Sequence, residues 1–191
     1  SIARAVRTPS QLEQDITITF ISIPGFGPFF GLLANPEFDS EVLVAYEGGY
    51  RKQITPEVSF DIAGFYNDYS ELASISRTTG AFPITTITTN GTSGKTFGTE
   101  AVLNWQPNNN FNITAAYSLL EIRLNGPAGA INAEAGEGYS PLQQFNLRSE
   151  WDVTDDVSFD NTIYYTAELP NYNVKHYWRF DMGIGWQIND G

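Results

Sequence analysis

The chain has 191 residues, of which 41% are apolar and 14% aromatic, and a formal net charge of −12. That acidity excludes a nucleic-acid partner, because too few cations are present to neutralise a run of phosphates. The absence of cysteine excludes disulfides, thiolate metal sites and cysteine nucleophiles, and no stretch approaches the roughly 20 consecutive apolar residues of a membrane-spanning helix.

The first element is a strand pattern over residues 1–7, followed by a long connection, 8–40, in which residues 16–23 again read as β. From residue 41 the period is two. Val42, Val44, Tyr46, Gly48 and Tyr50 fall on one face, opposed by Glu41, Leu43, Ala45, Glu47, Gly49 and Arg51. A short turn at 54–57 leads to Val58, Phe60, Ile62, Gly64 and Tyr66, opposed by Ser59, Asp61, Ala63, Phe65 and Asn67. After a long connection at 70–95, with β character at 84–89, come Phe97, Thr99, Ala101, Leu103 and Trp105 against Gly98, Glu100, Val102 and Asn104. A short turn at 107–110 opens Phe111, Ile113, Ala115, Tyr117 and Leu119, and a long connection at 125–139 follows. Phe145, Leu147, Ser149 and Trp151 then oppose Asn146, Arg148 and Glu150. They are joined by a short turn at 153–156 to Val157, Phe159, Asn161, Ile163 and Tyr165 against Ser158, Asp160, Thr162 and Tyr164. The last long connection, 168–175, precedes Trp178, Phe180, Met182, Ile184 and Trp186, opposed by Tyr177, Arg179, Asp181, Gly183 and Gly185.

These patterns predict an all-β chain of about eight long meandering strands without a helical stripe. In a soluble protein the apolar face would pack into a core. In an outer-membrane barrel it faces lipid, and the charged face looks into the lumen. Two features favour the barrel. Every second connection is short, as periplasmic turns are, and the others are long, as extracellular loops are. The apolar face also carries aromatics close to the short turns: Tyr50, Trp105, Phe111, Trp151, Phe159 and, beside the terminal Asn-Asp-Gly, Trp186. Amphipathic rings at strand ends are the expected interfacial girdle. The opposite face, with Glu47, Arg51, Asp61, Glu100, Arg148, Glu150, Asp160, Arg179 and Asp181, would border a wet lumen or a plug, with pairings such as Arg148 or Arg179 to Asp160.

No catalytic constellation is visible, and the expectation is no enzyme. His176 is the single histidine, which excludes Ser-His-Asp and multi-histidine metal sites, and no cofactor or metal is expected. Gly25-Phe26-Gly27-Pro28 lacks the third glycine and following helix of a dinucleotide fingerprint, and Asp155-Asp156 reads as a turn former. What remains is ligand binding on the long connections. Phe26, Phe29 and Phe30 stand in a Pro/Gly-rich stretch expected to be a loop, where they would contact a ligand at the extracellular mouth or pack over the barrel rim, with Arg77 and Tyr139 as further candidates for ligand contact.

Several stretches, in order, resemble segments of TonB-dependent outer-membrane receptors. Residues 1–10, SIARAVRTPS, are similar to the family's SRAVRTPS segment; 35–41 and 45–51, NPEFDSE and AYEGGYR, to its NP-x-F-x-S-E and AYE-x-GYR. FYNDY at 65–69, FGTE at 97–100, SPLQQFNLR at 140–148 and ELP at 168–170 continue the resemblance across nearly the whole chain. It implies a plugged barrel of about 22 strands, in the outer membrane of a Gram-negative bacterium. Such a receptor imports a scarce ligand (ferric siderophore, haem, vitamin or glycan) with energy from the TonB complex. Residues 1–191 would then be one part of the transmembrane barrel, strands roughly 13 to 20 on the family's pattern. The plug domain, the TonB-contacting N-terminal region, the earlier strands and the last strands would lie outside it. The start inside a strand pattern at Ser1 and the end on Asn189-Asp190-Gly191 agree with a piece of a longer chain. Two other architectures fit the strand count: a complete eight-stranded outer-membrane barrel, and a soluble β-sandwich used in adhesion or carbohydrate binding.

Overall fold

The computed structural model describes residues 1–23, 27–77, 84–126 and 135–188, with side chains for all of these except 19–23, 27–30, 84–85 and 135–136. The strands are β1 (Ile2–Arg7), β2 (Ile18–Ile23), β3 (Gly27–Leu33), β4 (Glu41–Thr55), β5 (Val58–Arg77), β6 (Ile84–Asn108), β7 (Phe111–Asn125), β8 (Gln143–Thr154), β9 (Val157–Thr166) and β10 (Tyr177–Trp186). Among the described residues, helical structure is confined to one turn, α1 (Gln11–Gln14), and two 3₁₀ turns, Ala135–Gly138 and Pro170–Tyr172. The eight long strands expected form one continuous path, β1-β4-β5-β6-β7-β8-β9-β10, so the all-β, antiparallel class holds. A complete eight-stranded barrel would require β1 to pair with β10. The path instead runs from one to the other, with no such pairing among the described residues.

The short turns are where the alternation places them, and they share one local device. In each, the side-chain oxygen two residues before the last turn residue accepts that residue's N–H: Thr55 from Glu57 at 3.2 Å, Asn108 from Asn110 at 2.9 Å, Thr154 from Asp156 at 3.3 Å. Such a bond offers the backbone a ready-made turn and ends the ladder. The turn carbonyls then tie hairpin to hairpin: Glu57, Asn110 and Asp156 each accept from a later strand end, Gln106, Asp152 and Gln187, at 2.8 Å.

The chain divides into two compact units, one of residues 1–46, 66–96 and 122–137, the other of 47–65, 97–121 and 138–191. Neither has a conventional apolar core. Phe38 is the sole buried hydrophobic side chain among the described residues, at 2% exposure; the other buried side chains are Ser74, Thr86, Thr88 and Thr92. A sandwich would bury Val44, Phe60, Leu147 and Phe180 between layers, but the first three are half-exposed and Phe180 is 65% exposed. Among the described residues no second layer covers these apolar faces within their own units, and the sandwich reading fails.

Two expectations about the connections are corrected. The Pro/Gly-rich stretch is not a loop: Gly27–Leu33 is a strand, antiparallel to β2 and parallel to β6 through Phe30↔Ile84 to Leu33↔Ile87. Pro28 is tolerated at its second position, as proline is near strand starts. Residues 70–95 hold the β expected at 84–89 and more strand than expected around it, because β5 continues to Arg77 and β6 runs on from Ile84 without a break. The alternation hid the rest, since Glu71 adopts a left-handed φ of 57° within β5, and the buried positions are Ser74 of β5 and Thr86, Thr88 and Thr92 of β6.

Candidate functional site

The second unit shows the two faces most clearly, because registers across β7 to β10 run unbroken but for one shift between Asp152 and Thr154, beside the β8–β9 turn. One row of the polar face reads Asn112, Glu150, Asp160, Gly183; the next Thr114, Arg148, Thr162, Asp181; the third Ala116, Asn146, Tyr164, Arg179. Glu150 and Asp160, like charges, are thus directly opposed, an arrangement that costs stability unless balanced. The balance comes from Arg148, 2.6 Å from Glu150, and from the Asn112 carboxamide, which donates to Glu150 at 3.1 Å. The expected pairing of Arg148 or Arg179 with Asp160 is not what forms. Each arginine turns along its own strand to the acid two residues on, and Arg179 reaches Asp181 at 2.7 Å. Two residues apart on a strand is the same face, so this pairing needs no cross-strand reach. Arg179 also lies 4.2 Å from the ring centroid of Tyr164, a cation–π contact. Arg51 pairs with Asp61 across β4 and β5. Of the nine charged residues singled out, Glu47, Arg51, Glu100, Arg148, Arg179 and Asp181 are exposed, while Asp61, Glu150 and Asp160 are half-buried.

On the other face Phe111, Trp151, Phe159 and Ile184 share a row, followed by Ile113, Ser149, Asn161 and Met182, then Ala115, Leu147, Ile163 and Phe180. Phe111 sits between Trp105 and Trp151, edge-on to both at 6.3 and 6.5 Å, which is the favoured aromatic geometry. Tyr50, Trp105, Trp151 and Trp186 are exposed, at 57, 43, 49 and 71%, and Phe111 and Phe159 are half-buried. The structure adds a second aromatic row, Tyr117, Phe145, Tyr165 and Trp178, with Tyr165 and Trp178 4.9 Å apart. The period showed these residues on the apolar face, but their distance from the short turns concealed the grouping.

Of the proposed ligand contacts, Phe26 lies outside the described residues, and Phe29 and Phe30 are placed on β3 by their backbone alone. Arg77 ends β5, exposed. Tyr139 is 48% exposed and packs 5.2 Å from Tyr172, itself 62% exposed on the 3₁₀ turn after β9. The structure thus pairs Tyr139 with a residue the sequence did not single out.

A polar knot in the first unit was also missed. Arg7, at the end of β1, reaches Glu41 at the start of β4 through Nε at 2.7 Å, and Glu13 of α1 through Nη2 at 2.8 Å. Glu13 additionally accepts from the Ser10 N–H and hydroxyl at 2.8 and 2.9 Å, and Glu41 from the Ala73 N–H at 2.7 Å. The Arg7 guanidinium is 6.0 Å from the Phe38 ring centroid. These groups stand at the long-connection ends of their strands: Glu41 is the first residue of the 15-residue β4, and about ten residues suffice for a strand to cross a bilayer. The hydrogen bonds from Arg7 hold the Glu13 carboxyl at about 2 against an ordinary value of 4.5, in spite of burial. The same partner lowers Glu41, and the two carboxylates raise Arg7. The signal was present, because Arg7, Phe38 and Glu41 all lie in the segments that carry the family resemblance. Among the described residues no three His, Asp or Glu side chains converge to hold a metal ion.

A family model described as TonB dependent receptor-like, beta-barrel, matches residues 1–191. The chain resembles the structure of the copper transporter OprC at 13% identity and a TM-score of 0.65, covering 99% of this chain and 28% of that one. It resembles the siderophore receptor PirA from Acinetobacter baumannii at 16% identity and a TM-score of 0.65, covering 99% and 32%. A ferric enterobactin receptor mutant from Pseudomonas aeruginosa, in complex with enterobactin, matches at 16% identity and a TM-score of 0.67, covering 99% and 30%. The chain spans about a third or less of the length of these structures. None of the curated proteins matches it.

Proposed function

The chain belongs to the TonB-dependent receptor-like β-barrel family, whose members are transporters rather than enzymes, and from that premise we propose that it forms part of an outer-membrane importer. Residues 1–191 are eight strands of a larger barrel in the outer membrane of a Gram-negative bacterium, with two further strands, β2 and β3, in a long connection. The observation that carries this is the pair of unpartnered faces. A sheet with charges in register on one side and aromatics and aliphatics on the other, and no apolar core among the described residues, needs lipid on the apolar side. The polar side then borders water or a plug, with Glu47, Arg51, Asp61, Glu100, Arg148, Glu150, Asp160, Arg179 and Asp181 facing the lumen. Tyr50, Trp105, Phe111, Trp151, Phe159 and Trp186 form the interfacial girdle at the short-turn side.

The long connections face the outside and meet the ligand, through Phe26, Phe29, Phe30, Arg77 and Tyr139. The related structures, a copper transporter and siderophore receptors, make a scarce metal or its chelate the ligand class to test first, ahead of haem, vitamins and glycans. Transport is driven by the TonB complex through a region of the receptor outside these residues. The test is uptake by cells carrying the whole receptor, with and without a functional TonB complex, of copper(II), ferric enterobactin and ferric pyoverdine. TonB-dependent uptake of one of them is expected; uptake of all three indifferent to the receptor would refute the reading for this ligand class. Alanine at Phe26, Phe29 and Phe30 together should weaken binding by at least about tenfold, as loss of aromatic anchors does. Unchanged binding would retire those contacts.

A further inference from the structure

The connection between β1 and β4 is fastened to its own unit by the β3–β6 ladder and, among the described side chains, by hydrogen bonds at two further points. Arg7 and Glu41, which bracket it in sequence, clamp one point through Glu13. The other is the Asn90 carboxamide of β6. Its oxygen accepts the Asp39 N–H at 2.7 Å, and its two N–H groups donate to the carbonyls of Asp39 at 2.9 Å and of Glu71 at 2.8 Å. Every hydrogen on that nitrogen is used, and the bond to Glu71 holds the residue at which β5 departs from regular φ. Between the two points, Asn35 donates its backbone N–H to Glu13 and its side chain to the Thr88 carbonyl, both at 2.8 Å, and Gln14 donates to the Phe38 carbonyl at 2.9 Å.

We propose that Arg7, Glu41 and Asn90 are positioning residues for ligand capture: they lock the connection that carries β2 and β3 onto the β5–β6 hairpin, so that the ligand meets a preformed surface. This rests on the reading of the long connections as ligand-facing. Phe38 alone among the described side chains is a fully buried apolar anchor, so beyond the β3–β6 ladder the connection depends on these polar bonds, and their loss favours local opening. A connection that is competent only part of the time binds more weakly in proportion to that fraction. Arginine is required at residue 7 because one guanidinium engages two carboxylates at once, which a lysine ammonium does not reproduce.

The experiment compares the whole receptor in outer-membrane vesicles with its Arg7→Ala, Arg7→Lys and Asn90→Ala variants, by amide hydrogen exchange and by binding of copper(II), ferric enterobactin and ferric pyoverdine. Exchange at residues 27–33 and 35–39 should quicken about tenfold in both alanine variants, with β7 and β8 unchanged, and the dissociation constant should rise about five- to tenfold. Arg7→Lys should restore part of each. Unchanged exchange overturns the lock, and faster exchange with undiminished affinity overturns its role in capture. If the unaltered receptor binds none of the three probes, the metal-chelate reading falls, while exchange still decides the lock.

Discussion

Glu13 is charged through almost the whole pH range in which the protein can be handled, because Arg7 and then the Ser10 donors stabilise its carboxylate more than burial penalises it. With the folded carboxyl at about 2 and an ordinary value of 4.5, its contribution is complete above about 4.5 and fades as pH falls toward 2. Arg7 is 47% exposed, so solvent screens the pair and the contribution is about 1 kcal/mol. Amide exchange in residues 11–16, corrected for its intrinsic pH dependence, should therefore lose protection below about pH 4.5. In Glu13→Gln that loss should shrink, because protection is already reduced at neutral pH and only Glu41, also lowered by Arg7, still titrates in the knot. Gly98 sets a sharper local demand. A Cβ there would collide with the Leu119 carbonyl oxygen and lie 2.8 Å from Phe65 Cζ, and the backbone oxygen has nowhere to go. Gly98→Ala should cost about 2–4 kcal/mol and lower the melting temperature of the detergent-solubilised receptor. Gly48→Ala, whose Cβ meets nothing within 4 Å, should change it little.

At the scale of strands, the period of two was legible wherever one face stayed apolar. That holds for β7 to β10, whose registers set Phe111 against Trp151 and Leu147 against Ile163 as the alternation requires. It was legible too at the turns, where Thr55, Asn108 and Thr154 mark the ladder ends. It failed where hydrogen bonding replaces apolar packing. Ser74 and Thr92 are buried, so the β5–β6 extension outside the β expected at 84–89 reads as a polar loop, and β3 is concealed by its glycines and Pro28. The knot was missed for another reason: Arg7 and Glu41 are 34 residues apart, and a charge pair leaves no periodic trace, so only the family-like segments marked its residues. The face assignment itself can be tested on a single strand. Arginine in place of Leu147, in the row of Ala115, Ile163 and Phe180, should cost about 2–4 kcal/mol if that row meets the middle of a bilayer. Arginine in place of Thr162, between Arg148 and Asp181 on the other face, should cost far less. Folding titrations of the receptor into lipid vesicles measure both, and equal costs would contradict the orientation.

For the chain as a whole, the two ends of the strand path are the places where it most needs other surfaces. On β10, Phe180, Met182, Ile184 and Trp186 are 65 to 78% exposed, and at the start of β1 Ile2 is 74% exposed. Each terminal strand also has only one hydrogen-bonded neighbour in the path, leaving a row of backbone groups open to pairing. Within the receptor, adjoining strands and lipid would cover both the backbone row and the side chains. Expressed alone in water, residues 1–191 should therefore self-associate, edge to edge and through the apolar faces, well before charge repulsion from a net −12 could keep them apart. Detergent should disperse the aggregates only in part, because it covers the faces without pairing the edges. Sedimentation velocity with and without detergent separates the two contributions. A monodisperse monomer in plain buffer would mean that protein covers Phe180 and Met182 in solution, and the lipid-facing sheet on which the import reading rests would then be lost.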